Sequence, residues 1–103
     1  MIARIWSAQS TPALAPAYAE HLRRQVLPVL RKVNGYLGAR LLERGSGGKV
    51  EIIVLTFWES LDLIKGFAGD DPESAVVADE AAALLTQFDR SVAHYQVVVS
   101  DGM

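Results

Sequence analysis

The chain has 103 residues, half of them hydrophobic and 21% charged, with a formal net charge of −2. That is enough for one domain, residues 1–103, with a modest core, and too apolar for a disordered chain. With no cysteine, disulfides and thiolate metal sites are excluded, and nothing implies an oxidising compartment.

The N-terminal "MIARIWSAQS" has an arginine in its apolar run and no A-x-A-like cleavage site, so it does not read as a signal peptide. No apolar run approaches the ~20 residues of a membrane-spanning helix. The expectation is a soluble, cytoplasmic protein. Charge is uneven: residues 1–49 hold eight Lys/Arg and two Glu, residues 50–103 two Lys/Arg and ten Asp/Glu. The favoured explanation is that oppositely charged elements lie side by side or across a dimer. Overall acidity and the lack of interleaved aromatics argue against nucleic acid.

In chain order, Ile2 to about Gln9 reads as a strand. A helix follows, capped by Ser10 or Thr11, with Pro12 near its first turn. Tyr18, Leu22, Val26, Val29 and Val33 form its apolar stripe. Pro28 is expected to kink it. "VNGY" ends it, with Gly35 free to adopt the left-handed conformation. "YLGARLLER" and "KVEIIVLTFWE" are strands joined through "GSGG" as an antiparallel hairpin. Ser60 caps a short helix, "LDLIKGFA". Asp71 or Ser74 caps a third, "AVVADEAAALLTQF", rich in alanine and leucine. "SVAHYQVVVS" is the last strand.

The order β-α-β-β-α-β is the ferredoxin-like pattern, an α+β fold with a four-stranded antiparallel sheet and helices on one face. Such a sheet alternates apolar and polar residues when its other face meets water. Ile52–Leu55 and Val97–Val99 do not alternate. The second face therefore needs a cover, most simply a second copy, giving a homodimer through facing sheets.

The two histidines, His21 beside the helix stripe and His94 in the last strand, are candidate general bases, because histidine titrates near neutral pH. Each could equally be a surface or strand-end residue. Neither has ligand spacing for a metal, so no metal is expected. Asp70, Asp71 and Glu73 lack the alternating ligands of a calcium loop and fit a helix start better. Arg4 shares a strand face with Ile2 and Trp6 and needs a partner: an acid of the second half, or an anionic or phenolate ligand. Trp6 and Trp58 are core anchors or walls of an aromatic pocket. Tyr18, Tyr36 and Tyr95 each offer a hydroxyl donor.

With "LTFWES" closing the third strand and "HYQVV" in the last, the chain resembles the antibiotic biosynthesis monooxygenase family, dimeric α/β-barrel proteins of the ferredoxin-like class. The resemblance spans nearly the whole chain. It implies a cofactor-free oxygenase acting on a small flat phenolic substrate, with Arg4, His21 and His94 as catalytic candidates and Trp6, Tyr18, Trp58, Phe67 and Tyr95 around the substrate. Haem-degrading relatives carry an Asn, a Trp and a His where this chain has about Ser7, Phe67 and about Val77. Quinone-forming relatives pair the strand-end Trp with an Asn, where this chain has Val54. These departures disfavour haem degradation and leave open a non-catalytic binding or stress-associated module, or a haem-binding protein.

Overall fold

The computed structural model describes residues 1–102. Strand β1 (Ile2–Ser10) leads to helix α1 (Ala15–His21), a π-helical turn (Leu22–Val26) and helix α2 (Leu27–Leu30). Strands β2 (Tyr36–Ser46) and β3 (Lys49–Trp58) form the hairpin. A 3-10 turn (Asp62–Ile64) runs into helix α3 (Lys65–Ala68); helix α4 (Asp79–Ala82) and strands β4 (Gln87–Phe88) and β5 (Ala93–Gln96) complete the chain. The antiparallel sheet has the order β2-β3-β1, with β4 and β5 both on the free edge of β1. Those two segments share the fourth strand position of the ferredoxin-like fold.

Local rules account for much of this. Gly47 and Gly48, at φ +57° and +81°, form a two-residue turn between paired Ser46 and Lys49, the twist-matched geometry for a hairpin. The Leu14 N–H donates to Thr11 Oγ1 at 3.2 Å before α1. Leu63 N–H donates to Ser60 Oγ at 3.3 Å, the expected cap. Gly35 sits at φ +90°, where a Cβ would lie 2.6 Å from Leu63 Cδ1, so this turn demands glycine by conformation and by space.

Pro28 produces a π turn. Without an N–H it leaves the preceding ladder short of a donor, and Leu27 N–H reaches back five residues to Leu22 O. Such bulges insert an extra residue into the helix. Here both His21–Leu22 and Gln25–Val26 turn toward the sheet.

The core lies on the helix face of the sheet, in two clusters. Trp6, Ala8, Tyr18, Ile52, Val54 and Ala81 form one; Leu30, Trp58 and Ile64 form the other. On the opposite face, Leu42, Ile53 and Tyr95 are exposed in the single chain.

Two expectations are corrected. The helix read from "AVVADEAAALLTQF" is only α4, one turn long. Residues 69–78 form an extended strap, because Ala75 N–H pairs with Arg90 O (2.9 Å) and Val92 N–H with Glu73 O (2.8 Å); tertiary pairing overrides alanine's helix propensity. The strap's start is a turn: Asp71 Oδ1 accepts from Glu73 N–H at 3.0 Å. The last strand also ends at Gln96, leaving Val98 and Val99 exposed.

Candidate functional site

A cavity of about 230 Å³ lies between the sheet and the helical layer. Strand alternation supplies its floor. Arg4 and Trp6 on β1, Ala39 on β2, and Val54 and Thr56 on β3 all point to the helix face. Tyr18, His21, Leu22 and Gln25 form the helical wall, and Val76, Val77 and Ala78 of the strap the wall opposite. His21 and Gln25 also border an outer hollow with Glu20, Arg24 and Glu80. They stand between the cavity and solvent.

Arg4 is only 4% exposed. Its guanidinium donates to the carbonyl oxygens of Pro72 and Ser74, the latter at 2.7 Å. Its Nη1 also meets His94 Nε2 at 3.2 Å, and its centre lies 5.8 Å from the Phe67 ring centroid. Within one chain, Arg4 forms no ion pair with an acid of the second half among the described residues: these partners are carbonyls, an imidazole and a ring. Among the described residues, the ion pair that crosses between the halves is Arg44–Glu51, at 2.5 Å on neighbouring strands. The guanidinium keeps its full charge, although burial lowers its pKa.

Tyr18 is 4% exposed. Burial pushes its phenol up to about 12, so it is a neutral O–H donor at working pH. Its ring lies 6.2 Å from Trp6, whose indole N–H donates to Asp89 O at 2.7 Å. Phe67 joins the cavity to the second core cluster, stacking on Trp58 at 6.1 Å.

The structure thus gathers Arg4, Trp6, Tyr18, His21 and Phe67 around one cavity. The other three candidates lie elsewhere. Trp58 is fully buried behind Phe67, with its indole N–H on Thr56 Oγ1 at 2.8 Å. His94 sits behind Arg4, which it opposes across the β1–β5 pair. Tyr95 pairs with Ala3 on the opposite face and is 59% exposed. Sequence reasoning passed over Thr56 and Gln25. Both were available: Thr56 is two residues before Trp58 on one strand face, and Gln25 follows Tyr18 and Leu22 at helical spacing. A larger hollow of about 380 Å³ near Gln9, Arg44, Glu51 and Gln87 has a mixed, open lining without a histidine.

No family model and no curated protein matches the sequence. Solved structures do match in fold. The haem-degrader MhuD from Mycobacterium tuberculosis, solved with two haems in its active site, is 23% identical with a TM-score of 0.66, covering 99% of this chain and all of that one. A Bacillus cereus protein assigned as an antibiotic biosynthesis monooxygenase is 18% identical with a TM-score of 0.67, over 99% and 97% of the two chains. The Streptomyces coelicolor monooxygenase ActVA-Orf6, bound to nanaomycin D, is 19% identical with a TM-score of 0.59, over 99% and 88%. Among the described residues, no helix is long and apolar enough to cross a membrane. From first strand to last, the chain has the ferredoxin-like fold that these solved structures share.

Proposed function

We propose that the protein is a monooxygenase-like enzyme that takes a small, flat phenolic compound into the cavity between sheet and helices. The observation that carries this reading is one apolar cavity bordered by a buried guanidinium, a neutral tyrosine hydroxyl and a histidine at its mouth. A volume of about 230 Å³ lies just under the ~300–1,000 Å³ usual for ligand pockets and suits a compact fused-ring molecule. Trp6 and Phe67 would flank its faces. Arg4 would stabilise phenolate charge, and Tyr18 would donate a hydrogen bond to the same oxygen. His21 would accept the proton. An electron-rich carbanion formed in this way can react with oxygen directly, so the reading calls for no resident cofactor. The apolar walls would keep water from the intermediate.

The catalytic unit would be a homodimer. Ile53, Leu42 and Tyr95 leave an apolar sheet face uncovered in one chain, and a second copy of the same face would cover it. The cytoplasm is the compartment this reading assumes.

A second reading is a non-catalytic binding module. It is favoured by the engagement of Arg4 with two carbonyls and His94, which leaves few free polar groups at the cavity. Oxygen uptake with hydroquinones and anthrones separates the two. Uptake that falls in Arg4→Met and His21→Gln supports the enzyme. Saturable binding without uptake supports the module. A Soret band on adding haemin, lost in His21→Gln, would replace both with haem binding.

A further inference from the structure

The strap over residues 69–78 contributes Val76, Val77 and Ala78 to a wall of the cavity, yet little secondary structure holds it. Backbone pairs tie Ala75 to Arg90 and Glu73 to Val92, and Ser74 bridges to Ser91. Ala75 and Val77 pack against the core. Between its ends, the side-chain tie is Arg4, which reaches from the centre of the sheet to the carbonyls of Pro72 and Ser74. The guanidinium also meets His94 Nε2 at 3.2 Å. A guanidinium has only donors, so Nε2 must present its lone pair. The imidazole is then neutral, with its proton on Nδ1. Protonation would put an N–H where the acceptor was, and a second positive charge against the first.

We propose that His94 is a proton-sensitive positioning residue for Arg4, and that the pair forms a latch holding the strap over the cavity: closed while the imidazole is neutral, loosened once it is protonated. The charges acting on His94 are Arg4 from β1 and Glu73 from the strap. Glu73 favours the protonated ring. Burial first, and Arg4 second, outweigh it and hold the His94 pKa below the ordinary 6.5. The neutral form is therefore bound preferentially by the folded chain. The stabilisation is complete above pH 6.5 and is lost as pH falls through the folded-state value. The latch does not depend on the chain being an enzyme.

The test is amide hydrogen exchange on the full chain between pH 7.5 and 5, corrected for intrinsic rates, alongside an NMR titration of the imidazoles. Protection at Ala75 and Val92 should fall about tenfold for each unit by which the His94 pKa is depressed, with the midpoint of the His94 titration, while the β2–β3 hairpin is unaffected. In His94→Gln, whose amide oxygen accepts from Arg4 without titrating, protection should persist at both ends of the range. Arg4→Met should release the strap at every pH; should that variant not fold, His94→Gln decides alone. A wild-type strap indifferent to pH overturns the latch. So does a pH response that survives in His94→Gln, or one that vanishes in His21→Gln.

Discussion

Replacing Trp58 by Phe separates core from pocket. Trp58 is fully buried, packed with Leu30 and Ile64, and its indole N–H meets Thr56 Oγ1 at 2.8 Å. Phenylalanine removes that donor, at a cost of about 1 kcal/mol. It also removes part of a close-packed ring, for roughly 1–2 kcal/mol more as the site fails to collapse fully. The sum, about 2–3 kcal/mol, corresponds to a fall of about 10–20 °C in Tm for a domain of this size. Circular dichroism at one fixed protein concentration reads it. The variant keeps Trp6 as its one tryptophan, and Trp6 borders the cavity, so quenching of its fluorescence reports ligand binding in the same sample. The expected outcome is a large loss of Tm with little change in affinity. An unchanged Tm with lost binding would refute the placement of Trp58 behind Phe67.

Ile53→Asp tests the open sheet face. Ile53 is 37% exposed and pairs with Ser7 and Leu42, so the chain should stay folded while light scattering shows a shift from dimer to monomer; a wild type already monomeric would refute facing sheets. Tyr18 should titrate late. Its folded-state pKa of about 12 against an ordinary 10 means that the neutral form is favoured. Stability is therefore held below pH 10 and lost as pH rises toward 12, by up to about 2–3 kcal/mol. Burial also raises Tyr36, so the late phenolate absorbance step should shrink in Tyr18→Phe by the one tyrosine removed, and a step unchanged in that variant would refute its assignment to Tyr18.

The hairpin was legible because its determinants are local: alternating strands and a Gly47–Gly48 turn with one good geometry. Arg4 with Trp6 on one face of β1, and Thr56 with Trp58 on one face of β3, follow from alternation alone; the β1–β3 register then puts the two sets on the same side. The strap was not legible. Its alanines favour helix, and what holds it extended is Arg4, dozens of residues away, with the backbone of Arg90 and Val92. The role of His94 was hidden for the same reason, since only the β1–β5 register sets it against Arg4. Pro28 announced a break in the helix. That the break is a π turn, broadening the face toward the cavity, depends on which carbonyl Leu27 reaches.

The central position of β1 has a consequence for how the chain comes off the ribosome. β1 is made before every strand it pairs with, and the segments that close its second edge, Gln87–Phe88 and Ala93–Gln96, are made after β2 and β3. Until then β1 pairs only with β3 and presents an open ladder to other chains, and the strap that carries Arg4's carbonyl partners lacks its own backbone pairs at Arg90 and Val92. Long-range closure of this kind is slow, and unpaired strands in nascent intermediates are where aggregation starts. Truncation just before Gln87 would fix the molecule in that unfinished state.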